Sequence, residues 1–97
     1  MQTYMTTIHY AQQGIENIKD TPMRLKTARE LYKSMGAEIK SFYLSMGHYD
    51  VIVISEAPDD ETATKLAMTI ISAGPIRAET NRLFTEDEYS KLIAELP

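Results

Sequence analysis

An α+β fold is predicted for this chain: a four-stranded antiparallel sheet with two helices on one face and a further helix at the C-terminal end. Three observations predict it. Strand-like and helix-like stretches follow the order β-α-β-β-α-β. The two intervening helices are sharply punctuated. One strand-like run, "VIVI" at 51–54, is apolar without the alternation of a half-wet strand. A chain of 97 residues has room for one core, so residues 1–97 are expected to form a single domain.

"QTYMTTIHY" (2–10) is rich in Thr, Tyr and Ile and is expected as the first strand. "AQQGIENIKD" follows as a long connection with one loose helical turn. "TPMRLKTARELYKSMG" carries helix punctuation: Thr21 as N-cap, Pro22 at the first helical position and Gly36 as the stop. Leu25, Ala28, Tyr32 and Met35 fall at helical spacing and make its buried stripe. "AEIKSFYLSM" (37–46) and "YDVIVISEA" (49–57) are strands two and three, with the short "GH" between them indicating a hairpin. In the second strand, Phe42, Leu44 and Met46 are expected on one side, Ile39 and Tyr43 on the other.

"PDDETATKLAMTIISAG" gives the second helix, with acids at its positive end, Ala63, Leu66, Ala67, Ile70 and Ile71 on one side, and Gly74 closing it. "PIRAETNRLF" (75–84) is the fourth strand. For the last helix, Thr85 and Glu88 spell a capping box and Phe84 and Tyr89 a hydrophobic staple, with Tyr89, Leu92, Ile93 and Leu96 as its apolar side. Right-handed crossovers turn this order into a ferredoxin-like sandwich with sheet order 4-1-3-2.

In that arrangement strand 3 is central, so an unbroken apolar run puts aliphatic side chains on the face away from the helices. A four-stranded face spans about 350 Å², and leaving it wet is unusual for a monomer. Covering it contributes about 9 kcal/mol gross per subunit at about 25 cal/mol per Å². Two subunits together can offset an association cost of about 4–15 kcal/mol. A homodimer of the α/β-barrel type, or a higher oligomer built through that face, is therefore expected. The alternative is that the last helix folds back over its own sheet, although eleven residues of helix reach only about 16 Å.

The net charge of −4, with acids and bases interspersed, argues against nucleic acid and against an anionic membrane surface as partners. The chain has no cysteine, hence no disulfide and no thiolate chemistry. No apolar leader or membrane-length run opens the chain, so a cytoplasmic protein is expected.

"QGIENIKDTPMRL" (13–25), "FYLSMGHYDVIVISEAPDDETA" (42–63) and "GPIRAETNRLFTEDEY" (74–89) together resemble the GYD-domain family of small prokaryotic proteins. Gly47, Tyr49 and Asp50 map onto the Gly-Tyr-Asp signature, and His48 occupies the variable place between. The resemblance implies a ferredoxin-like fold and oligomers related to dimeric α/β barrels, and it implies no established activity. The chain departs from the family's pattern at Ala11-Gln12, where "TD" is expected, so any ligand role of those two residues does not carry over.

The expected topology brings "HYAQQG", "GHYD" and "AGPIR" to one end of the sheet. Ligand-binding candidates there are His9, Tyr10, His48, Tyr49, Asp50, Arg77 and Glu79, with Asp50, His9 or Tyr10, and Arg77 as a row that could bind an acidic or enolisable small molecule. Against this stands a plain turn role for Asp50, seam packing for Tyr49, and a solvated edge for Arg77 and Glu79. Neither histidine shows HxH, HxxxH or HExxH spacing, so no metal site is expected, and no cofactor loop is present. Three functions compete. They are a module that binds or senses a small metabolite, a small cofactor-independent enzyme of monooxygenase or isomerase type, and a structural assembly unit.

Overall fold

A computed structural model describes the whole chain, Met1–Pro97. Strand β1 (Gln2–Tyr10) leads through the short helix α1 (Gln12–Glu16) and a 3-10 turn (Ile18–Asp20) into α2 (Thr21–Ser34). Then come β2 (Glu38–Leu44), β3 (Val51–Ala57), α3 (Asp60–Ala73), β4 (Ile76–Leu83) and α4 (Glu86–Ala94). The sheet runs β2-β3-β1-β4, antiparallel throughout, which is the expected order counted from the other edge. Helix α2 lies against β2, and α3 against β3 and β4. No helix is long and apolar enough to cross a membrane.

Strand β3 alternates in burial even though its sequence does not alternate in polarity. Val51, Val53, Ser55 and Ala57 are buried, whereas Ile52, Ile54 and Glu56 are half-buried. The buried set joins Tyr4, Tyr32 and Leu66 in the core under the helices. Pairing then sorts the neighbours by face. Ile8 opposite Val51 and Thr6 opposite Val53 look toward the helices, while Met5 opposite Ile54 and Thr7 opposite Ile52 look away.

The expectation for β2 needs correction. The β2–β3 register slips between Ile39 and Ser41, so Lys40 is an extra residue in a bulge. Ile39 (opposite Ser55) and Phe42 (opposite Val53) consequently share the helix-side face, and Tyr43 (opposite Ile52) is alone of the three on the other. Arg29 reaches across from α2 and donates to the Ile39 carbonyl at 2.8 Å, which satisfies an acceptor beside the disturbed ladder. Met46 lies past the end of β2 in the loop, fully exposed.

Helix ends also differ in detail. Thr21 is the first residue of α2 rather than its N-cap; the preceding 3-10 turn leads directly into the helix, and the Thr21 hydroxyl donates back to the Ile18 carbonyl at 2.8 Å. Gly36 does terminate the helix, with φ +75. Gly36 and Ala37 N–H groups donate to Lys33 and Tyr32 carbonyls, the paired pattern that closes a helix through a left-handed residue. Asp59 caps α3, accepting from Thr62 N–H at 2.8 Å, and both halves of the Thr85–Glu88 capping box are formed on α4. Gly74 ends α3 in extended rather than left-handed geometry, with Pro75 next to it. The hairpin loop is longer than two residues and occupies 45–50.

Helix α4 does not fold back over the sheet. Tyr89, Leu92, Ile93 and Leu96 remain 59, 47, 49 and 65% exposed. The radius of gyration is 14.7 Å, above the about 13 Å of a compact 100-residue domain. The shortest dimension, 18 Å, accommodates the sheet and a single helix layer of about 10 Å. One sheet face therefore carries no helix; Met5, His9, Ile52 and Ile54 are half-buried on it, Tyr43 is exposed, and Thr7 is buried between its neighbours on the sheet.

Candidate functional site

The end of the sheet where β1 stops and β3 and β4 start gathers most of the residues singled out by sequence. Asp50 sits just before β3, where its N–H donates to the Ile8 carbonyl at 3.0 Å and its carbonyl accepts from Ser45 N–H at 2.9 Å. Its carboxylate accepts the Tyr10 N–H at 2.9 Å. A side chain thus extends the β1–β3 ladder by one rung and fixes the hairpin loop to β1.

Three rings meet beside this rung. His9 and His48 are edge-to-face with centroids 5.7 Å apart, His9 and Tyr49 are 5.6 Å apart, and His48 and Tyr49 are 4.8 Å apart. Such edge contacts suit the aromatic quadrupole. His48 is exposed and the other two are half-buried. Neither imidazole has a hydrogen-bond partner on a carboxylate that would orient it as a general base. The trio presents ring faces and imidazole nitrogens to whatever approaches the end of the sheet.

Arg77 lies opposite His9 across β1–β4, and Glu79 lies opposite Thr7. Both side chains are exposed, and neither enters one of the two ion pairs of the chain, Lys40–Glu38 and Arg82–Glu88. Tyr10 is separated from the others: it is opposite Ile76 on the helix-side face, where it packs against the core. His9, His48, Tyr49 and Asp50 therefore come together, Arg77 adjoins them across the strand, Glu79 lies farther along the same face, and Tyr10 faces the other way. No group of three or more His, Cys, Asp or Glu is arranged to hold a metal ion.

The GYD domain family model matches residues 4–93. The chain belongs to the GYD-domain family. A relative from Thermus thermophilus, "Glutamine synthetase and cystathionine beta-lyase binding protein", is 26% identical over 81 residues, covering 82% of this GYD chain and 85% of the relative. Among solved structures, a crystal structure of MtbAldR superposes with TM-score 0.69 at 15% identity, covering 88% of this chain and 54% of that one. The GYD chain thus spans about half the length of that structure, and the likeness is one of fold.

The Gly-Tyr-Asp signature acquires distinct physical roles. Asp50 closes the ladder and Tyr49 supports the two imidazoles. Gly47 is different. It has no left-handed backbone, and a Cβ built there would meet only Ser45 Oγ, at 3.8 Å. Nothing within the GYD chain itself requires glycine at 47. Gly14, by contrast, is enforced locally, because a Cβ there would come within 2.8 Å of the Pro75 carbonyl oxygen.

Sequence reasoning overlooked a polar cluster at the far end of the sheet. The Tyr4 hydroxyl donates to Asp60 at 2.6 Å. Burial, then the Asp60 hydrogen bond and charge, push the Tyr4 phenol up to about 12. Arg82 donates to Gln2 at 2.5 Å, pairs with Glu88 at 3.4 Å, and stacks over Phe84 at 4.6 Å. Tyr4, Asp60 and Arg82 border a cavity of about 380 Å³ between α3 and β4. The available signal was a tyrosine at a helix-side position of β1, a weak one because aromatic residues are ordinary strand formers.

Proposed function

We propose that this GYD-domain protein is a homo-oligomeric binding or sensing module whose open sheet face docks on a second copy, with a small-molecule site at the His9–His48–Tyr49 end. The single observation that carries this is the uncovered face centred on Ile52, Ile54, Met5 and Tyr43, which α4 leaves untouched. An isologous contact places one patch on its own copy, so it favours self-complementary charges. Arg77 and Glu79, two residues apart and without partners in their own chain, supply them.

Gly47 supports the same reading. Its signature glycine is unexplained by backbone or packing within one subunit, which is what a close approach by a ligand or by a second subunit requires. His48 and Tyr49 flank that approach, and Arg77 adds a positive charge suited to an acidic ligand.

A second reading is favoured by α4. Its exposed stripe of Tyr89, Leu92 and Ile93 is an amphipathic helix face open to a protein partner. The Thermus thermophilus relative is named for binding two enzymes, which supports protein partners of this kind here too.

Light scattering at micromolar concentration tests the first reading. A mass that is a multiple of 11.0 kDa is expected, and a lone 11.0 kDa species would remove its basis. NMR titration with small dicarboxylates should then move the His9 and His48 ring resonances; unmoved imidazoles would take the ligand site away from this end of the sheet.

A further inference from the structure

Helices α2 and α3 touch each other only sparingly over the sheet. Between them lies a cleft of about 460 Å³, within the range of about 300–1,000 Å³ usual for small-molecule sites. Its walls are mainly apolar: 16 of the 22 residues that line it are hydrophobic. Leu25, Ala28 and Ile70 occupy positions whose spacing assigns them to the core, yet they, with Ile8 and Leu31, are only partly buried and line this space. Only Leu66 and Val51 are fully enclosed. Apolar walls facing a void forgo dispersion contacts that an apolar occupant would restore.

Charge narrows the identity of the occupant. Arg24 is the single charged residue among those lining the cleft. It belongs to neither ion pair of the chain, and Asp20 one turn earlier does not pair with it. Tyr10, from the end of β1, and Thr21, at the start of α2, line the cleft together with it. Asp20 stands at the N-cap of α2, directly before its first turn, so the positive charge at this end of the cleft is that of the guanidinium alone. One end of an apolar cleft thus carries a free cation and the Tyr10 hydroxyl; the Thr21 hydroxyl already donates to the Ile18 carbonyl, and Asp50, whose charge also reaches the Tyr10 phenol, lies outside the lining.

We propose that the cleft between α2 and α3 binds a medium-chain aliphatic monocarboxylate, its alkyl chain among Ile8, Leu25, Leu31 and Ile70 and its carboxylate on Arg24 with the Tyr10 hydroxyl. This site is on the opposite side of the sheet from the His9 cluster and stands without the oligomer reading. A carboxylate matches the guanidinium fork, whereas an alcohol gains only the Tyr10 hydroxyl and a quaternary ammonium is repelled. Each added methylene should tighten binding about fourfold until the cleft is full.

Isothermal titration calorimetry on the full chain, with octanoate, decanoate and dodecanoate below their micellar concentrations, tests this. Expected are a tightening of about sixteenfold from each acid to the next, two methylenes longer, until the cleft is full, at least tenfold weaker binding of decanol than of decanoate, and no binding of decyltrimethylammonium. Arg24 is exposed, so Arg24→Gln should leave the fold intact and abolish the preference for decanoate over decanol. Decanoate should shift the methyl resonances of Ile8 and Ile70 and leave those of Ile52 and Ile54 in place. Equal affinity for decanoate and the ammonium, an unaffected Arg24→Gln variant, or shifts confined to Ile52 and Ile54 would overturn the proposal. So would decanoate binding that appears only when Leu92→Glu and Ile93→Glu are introduced together, because the cleft would then belong to the α4 helix of a second copy.

Discussion

The Asp50 carboxylate accepts the backbone N–H of Tyr10 at 2.9 Å, across the last rung between β1 and the loop that opens β3. The contact joins residues 40 apart in sequence and makes the acid part of the sheet. Removing the acceptor in Asp50→Ala should cost about 1.5–3 kcal/mol, the range for a hydrogen bond to a charged group. Asp50→Asn keeps a carbonyl acceptor and should cost less. Urea unfolding of both variants checks the order. If Asp50→Ala is as stable as the natural chain, the rung has no structural weight and Asp50 returns to the list of ligand groups.

Three glycines should respond differently to alanine. Gly14→Ala drives a Cβ to 2.8 Å from the Pro75 carbonyl oxygen, a backbone atom with little freedom to move, so a loss of about 1–3 kcal/mol is expected. Gly36→Ala forces a side chain onto φ +75, at about 1–2 kcal/mol. Gly47→Ala meets neither obstacle and should change subunit stability by no more than about 0.5 kcal/mol, while weakening association or ligand binding. Thermal melts paired with sedimentation separate these effects. A Gly47→Ala protein that unfolds early would show that the loop needs glycine for itself.

Tyr4 should make stability fall in strong alkali. Its phenol is raised from 10.0 to about 12, so the folded state favours the neutral form. That contribution is complete below pH 10.0 and is lost as pH rises through about 12. Tyr10 and Tyr32 are raised as well, chiefly by burial, so the diagnostic quantity is the difference between the natural chain and Tyr4→Phe. Urea midpoints at pH 9 and pH 11.5 should decline more in the natural chain. Parallel declines would mean that the Tyr4–Asp60 contact does not bias the titration.

Most of the architecture was legible because local and long-range signals agreed. Gly36 and the Thr85–Glu88 pair stop and start helices through backbone rules that need no tertiary context. The apolar run at 51–54 correctly implied a central strand with two apolar faces. The Lys40 bulge was not legible, because an extra residue inverts the alternation behind it and leaves composition unchanged. At the site, chain topology brought His9, His48, Tyr49 and Asp50 together as expected, whereas Tyr10 followed the strand's two-residue period onto the helix side. The cleft beside Arg24 was hidden for a different reason. Leu25, Ala28 and Ile70 show core spacing whether the space they face is filled or open, so a pattern of polarity cannot reveal a void.

The open face gives the most direct test of assembly. Ile54 lies opposite Met5 at the middle of the sheet, on the side that no helix covers. Placing a charge there with Ile54→Lys leaves the helix-side core of Val51, Val53 and Leu66 untouched, so the subunit should remain folded by circular dichroism. Burial of the new ammonium against a second sheet would be unfavourable by several kcal/mol, enough to exceed the margin of a weakly held dimer. The mass by light scattering should therefore fall toward 11.0 kDa, while Glu30→Lys on the exposed side of α2 should leave it unchanged. If Ile54→Lys assembles as well as the natural chain, the contact between copies runs through another surface, and the exposed stripe of α4 is the next to examine.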